Sequence, residues 1–135
     1  MRALFSLLVL DPRLRKLRYS CSLLIYAAIL VMGSIPGARA ELGHYASGLV
    51  LHSLAYAVLT FLVFTGSNGS ARGRALKSVL TVALMGVGDE LLQSMIPYRG
   101  AAVGDWLVDC SAAIVTSALL WALLPKSPPA RARTQ

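Results

Sequence analysis

Charge is what this chain lacks first. Asp, Glu, Lys and Arg make up 14% of its 135 residues, against roughly 25% in an average soluble domain, and only six residues are acidic. With 56% of the chain apolar, an ordinary soluble domain is excluded and lipid becomes the solvent to reason with. The length leaves room for one domain. Cysteine is scarce as well. Cys21 and Cys110 are the two, and each reads as a small buried apolar residue, too far from the other to bridge.

What is present is a set of long apolar runs. Four stretches, at about 19–36, 46–65, 75–96 and 103–124, are separated by short basic or Gly/Pro-containing connections. At about 1.5 Å per residue, about 20 helical residues cross a hydrocarbon core about 30 Å thick, so each run is a candidate transmembrane helix and the first is slightly short. The expected fold is all-α: a polytopic membrane protein, a four-transmembrane-helix bundle over residues 19–124. A basic segment, 1–18, precedes it, and a disordered tail, 125–135, follows.

The net charge of +7 invites a nucleic-acid reading until the basic residues are placed. Arg2, Arg13, Arg15, Lys16 and Arg18 precede the first run. Arg72, Arg74 and Lys77 lie between the second and third runs, and Lys126, Arg131 and Arg133 follow the fourth. Only Arg39 and Arg99 fall in the other two connections, so 11 of 13 basic residues lie on one side of the bundle. The positive-inside rule then sets both termini in the cytoplasm and the chain in the cytoplasmic (inner) membrane as a multi-pass protein. Basicity is an orientation signal, with no nucleic acid implied.

The string PGARA before Glu41 has the A-x-A form of a secretory cleavage site, and use of it would leave three helices. The apolar run is longer than a usual signal core and Arg39 within the site is unusual, so a retained first helix is expected. Residues 1–10 are too short to span and read as an interfacial extension held to anionic lipid by Arg13 to Arg18.

Four of the six acids, Asp89, Glu90, Asp105 and Asp109, fall in the third and fourth runs, while the second carries His52. Counting along antiparallel helices puts His52, Asp89 and Asp109 each about 10 Å below the outer interface. Spacings of three or four residues give one stripe of His52, Tyr56 and Thr60, another of Asp89 and Gln93, and a third of Asp105, Asp109 and Thr116. Glu90 points about 100° away from Asp89. Gly86 and Gly88 would let a neighbouring backbone approach.

A carboxylate in mid-membrane costs roughly 2.5–3.5 kcal/mol, so the stripes are expected to face one another around a hydrated pocket open to the outer side. Arg99 is the fixed positive charge nearby and suits a bidentate pair with a carboxylate. Simple structural uses compete at several positions. Tyr56 and Thr60 read as hydroxyls satisfied within the bundle, Gln93 as a helix contact, and Asp105 as the N-cap of VGDWL.

In sum of spacing and order, H-x3-Y, then D-E-x2-Q, then Arg before D-x3-D, the chain resembles the VanZ-like family of small integral membrane proteins. The matching elements are His52 and Tyr56 in HSLAY, Asp89, Glu90 and Gln93 in DELLQ, Arg99 in PYRG, and Asp105 and Asp109 in DWLVD. The match covers about residues 20–124. Many members carry Asn where Asp109 stands, and a Lys or similar residue just before the His, where residues 48–51 are apolar. The resemblance implies a cell-envelope setting, and the founding member is linked to low-level resistance to teicoplanin.

These readings define the expected site. His52, Asp89 and Glu90 are candidate acid/base groups, and Arg99 is their partner for a phosphate or carboxylate on a lipid-linked envelope molecule. Tyr56, Gln93, Arg99, Asp105 and Asp109 are candidate substrate contacts. Asp89, Glu90, Asp109 and His52 would suit a divalent cation such as Mg²⁺, or none. Two other classes stay open: a proton- or cation-translocating protein, which would need a homo-oligomer or a membrane-protein partner, and an accessory subunit with a structural polar core.

Overall fold

The computed structural model describes residues 11–97, 100 and 102–124, with the side chains of 39, 40 and 42 left aside. The elements begin where capping chemistry allows. Asp11 accepts a hydrogen bond from Arg13 N at 2.8 Å, and Pro12 opens the 3₁₀ turn Pro12–Leu14, which feeds directly into α1, Arg15–Ser34. Extended Ile35 and the positive φ of Gly37 (82°) end it. A six-residue helix, α2 (Ala38–Gly43), lies in the connection. Ser47 caps α3 (Gly48–Gly66), and Ser70 caps α4 (Ala71–Ser94) after a turn at Gly69, φ 117°. The last helix is α5, Val103–Leu123.

Among the described residues every regular element is helical, as expected of an all-α chain. The boundaries move by a turn or less. α1 begins at Arg15 instead of residue 19 because Asp11 and Pro12 nucleate it upstream, and this draws Arg15, Lys16 and Arg18 into the helix. α4 begins at Ala71, behind the Ser70 cap, and not at 75. The α2 segment was not expected, and the tail 125–135 lies outside the described residues.

Helices α3 and α4 pack on each other, and each is also contacted by α1 and α5. The chain runs up and down. The starts of α1 and α4 meet the end of α3 at one end, and the starts of α3 and α5 meet the end of α4 at the other. Arg18, buried, clamps the basic end by donating from Nε and Nη2 to Thr65 O at 3.2 and 2.9 Å. Tyr26 ties α1 to α4 by donating to Met85 O at 2.8 Å.

The interior is unusually polar and the exterior unusually apolar. Ser22, Thr60, Ser78, Asp89, Gln93, Asp109 and Ser117 are all buried, whereas Leu24, Leu49, Leu54, Leu80, Leu84 and Leu123 are all more than half exposed. Water would penalise that distribution, whereas lipid accepts it. Three helical stretches, Pro12–Ser34, Gly48–Gly66 and Val103–Leu123, are long and apolar enough to cross a membrane. α4 is long enough at 24 residues, but Arg72, Arg74, Lys77, Asp89 and Glu90 set it apart from the other three.

Candidate functional site

The acids and His52 gather where α3 and α5 begin and α4 ends. His52 is the fifth residue of α3, Asp109 the seventh of α5, and Asp89 the sixth from the end of α4. Each therefore lies about 6–9 Å along its helix from that end. His52 Nδ1 stands 3.0 Å from Asp109 Oδ1, a charge-assisted contact between α3 and α5. Its other nitrogen, Nε2, is 3.8 Å from Asp105 Oδ2, beyond hydrogen-bond length.

Asp105 is not the N-cap of α5. That place belongs to Ala102, which has no side chain able to cap, and Asp105 falls in the first turn, where a carboxylate suits the positive end of the helix dipole. The displacement turns it toward His52.

On α3 the four-residue spacing does what it predicts. The His52 and Tyr56 rings stack, with centroids 6.1 Å apart and planes 7° from parallel. Tyr56, fully buried, directs its hydroxyl across to Asp89 Oδ2 at 3.4 Å on α4. Thr60, one turn further, bonds back to Tyr56 O at 2.6 Å and has the structural role expected of it. Asp89 and Gln93 are both buried and share one face of α4.

Glu90 leaves this group. Its Oε2 accepts from Ala102 N, anchoring the connection into α5, and Oε1 is buried without a partner among the described residues. It serves as a tie between α4 and the next helix. Among the described residues no three His, Cys, Asp or Glu side chains converge as metal ligands. Of the four cation candidates, Glu90 turns away to Ala102 N, and His52 is engaged with Asp109. Arg99 lies outside the described residues.

Beside the cluster, α1, α3 and α4 enclose a cavity of about 350 Å³. Ile25, Ile29, Met32 and Leu51 give it apolar walls, and His52, Tyr56, Asp89 and Gln93 form its polar side. Gln93 Oε1 is buried and has no hydrogen-bond partner among the described residues.

The glycines work differently from expectation: they admit side chains, not backbone. A Cβ on Gly86 would come 2.9 Å from Trp106 Cδ1 and 3.3 Å from Asp109 Oδ2, and one on Gly88 would collide with the Tyr26 hydroxyl. Tyr26 and Trp106 thus join the candidate site residues, and Trp106 Nε1 donates to Ala83 O at 3.1 Å. A signal for Tyr26 was present: with Ser22 and Ile29 it makes an i, i+4, i+7 stripe on α1.

No family model, curated protein or solved structure matches this chain. The chemistry of the site must be read from its own residues.

Proposed function

We propose that this chain is a VanZ-like integral membrane protein in which α4 is a fourth span, both termini are cytoplasmic, and the His52 site opens to the extracytoplasmic side. The order of His52, Tyr56, Asp89, Glu90, Gln93, Arg99, Asp105 and Asp109 supports the family reading. Support for a fourth span comes from the faces of α4. Its buried side carries the polar residues Ser78, Asp89, Glu90 and Gln93, and its exposed side is Leu76, Leu80, Leu84, Val87 and Leu91. A helix with that distribution presents hydrocarbon to lipid along its outer face and keeps its two carboxylates inside.

The site takes a lipid-linked molecule of the cell envelope. One observation carries this reading: the same cavity has apolar walls from α1 and α3 and, on α4, a buried carboxylate and an amide oxygen without a donor among the described residues. An alkyl chain suits the walls, and a head group with hydroxyl or amide donors suits Asp89 and Gln93. A phosphate or carboxylate on that head group would need Arg99. His52, oriented through Nδ1 by Asp109, is the acid/base group of the site.

Lipids that copurify with the protein test the proposal. Native mass spectrometry of wild type is expected to find a lipid-linked envelope species that is lost in Asp89→Asn and Gln93→Leu while both variants still unfold cooperatively. Equal lipid content in wild type and variants would sink it. Loss of folding without a ligand in wild type would favour an accessory subunit with a structural polar core.

A further inference from the structure

At the opposite end of the bundle, the start of α1, the end of α3 and the start of α4 border a second cavity, of about 530 Å³. Arg15, Lys16 and Lys77 are its charged lining, Ser20, Ser67 and Asn68 add polar groups, and no acidic side chain lines it. Asn68 explains why cations from two helices meet. Its Oδ1 accepts from Arg15 Nη1 at 2.9 Å, and its backbone carbonyl accepts from Lys77 Nζ at 3.0 Å. Both acceptors are neutral, so the positive charge of the pair stays uncancelled.

The backbone holds this arrangement in place. A Cβ on Gly66 would lie 2.9 Å from Tyr19 N and 3.1 Å from Arg15 O, so the glycine is what lets the first turn of α1 close on the end of α3. Among the described acids only Asp11 belongs to this end, and it is outside the lining, with its carboxylate accepting from Arg13 N. The exposed surface around the pocket mixes cations with Leu17 and Leu76 and is continued by apolar Leu23 and Leu24, a pattern suited to the level of lipid head groups.

We propose that this pocket binds one phosphate group, held by Arg15, Lys16 and Lys77 and bonded by the Ser67 hydroxyl. Three cations lining one pocket, with several N–H donors and no carboxylate, call for an anion with multiple acceptor oxygens. The phosphodiester of an anionic phospholipid and inorganic phosphate share that chemistry. The site is separate from the His52 cluster and does not depend on its ligand.

The test uses the full chain in detergent micelles, with phosphatidylglycerol or phosphatidylcholine added and adducts counted by native mass spectrometry. Phosphatidylglycerol is expected to be retained in preference to phosphatidylcholine, and retention is expected to fall about tenfold or more in Arg15→Gln/Lys77→Gln. Arg72→Gln removes an exposed charge outside the lining and is expected to leave retention unchanged. Should the double variant fail to fold, Lys16→Gln alone, at an exposed position, is expected to lose about fivefold. Displacement of the lipid by millimolar inorganic phosphate identifies the bare anion as sufficient, and resistance to displacement identifies the lipid as the source. Equal retention of the two lipids, or an equal loss for Arg72→Gln and Lys16→Gln, overturns the pocket in favour of diffuse charge.

Discussion

His52 Nδ1 and Asp109 Oδ1 meet at 3.0 Å between α3 and α5, with Asp109 wholly buried and its second oxygen, Oδ2, without a hydrogen-bond partner among the described residues. One contact therefore does two things. It satisfies half of a buried carboxylate, and it fixes the imidazole so that Nε2 faces away from Asp109, on the side where Asp105 stands.

Substitution at Asp109 separates geometry from charge. Asp109→Asn keeps an acceptor for His52 and is expected to hold stability within about 1 kcal/mol, whereas Asp109→Ala strands the imidazole and is expected to cost about 1–3 kcal/mol. Thermal unfolding of both variants in the same detergent checks this. Equal melting of the two would mean that the contact does not tie α3 to α5.

Gly86 is where the site depends on the absence of a side chain. In Gly86→Ala the new methyl meets the Trp106 ring at 2.9 Å, and the ring is held by its bond to Ala83 O, so it cannot retreat freely. A loss of about 1–3 kcal/mol is expected, with a shift in tryptophan emission. Gly104→Ala, where a Cβ meets nothing within 4 Å, should be neutral by the same melting measurement.

Much of the site was legible in the sequence because helical spacing and antiparallel order are enough to bring His52, Asp109 and Asp89 to one end. Tyr56 followed from its four-residue spacing to His52. Glu90 was legible as turned away from Asp89, but its partner was not, since Ala102 lies beyond a connection whose path depends on tertiary packing. Asp105 was ambiguous for a related reason: whether an acid caps a helix or sits one turn inside depends on where the helix starts, and a cap by Ala102 leaves no mark in the sequence. A pocket beside the polar stripes was expected, but its apolar walls were not legible, because half of them come from α1, which carries no charged residue near that end to announce it. Gly66 and Asn68 matter only through contacts made across the bundle.

Blocking the cavity tests its use without touching the polar groups. Ala28 lines it and is exposed, so Ala28→Trp has room to extend across the opening without entering the packed core. The variant is expected to melt within about 1 kcal/mol of wild type, as surface substitutions outside special features do, yet to lose the copurifying envelope lipid. Retention of that lipid at wild-type levels would move its binding place elsewhere.

Orientation is open to direct labelling, because the two native cysteines are free and replaceable. In a Cys21→Ser/Cys110→Ala background, Tyr45→Cys reports the connection before α3, and Ser70→Cys reports the turn before α4. Both positions are exposed. With four spans and cytoplasmic termini, a membrane-impermeant maleimide added to intact cells with a permeabilised outer layer should label position 45 and not position 70 until the inner membrane is broken. A third position, Ser94→Cys, exposed at the end of α4, decides the span itself. It should label with position 45 if α4 crosses the membrane and with position 70 if α4 lies on the cytoplasmic surface. The second pattern would separate Asp89 from His52 by the thickness of the bilayer and would overturn α4 as a fourth span.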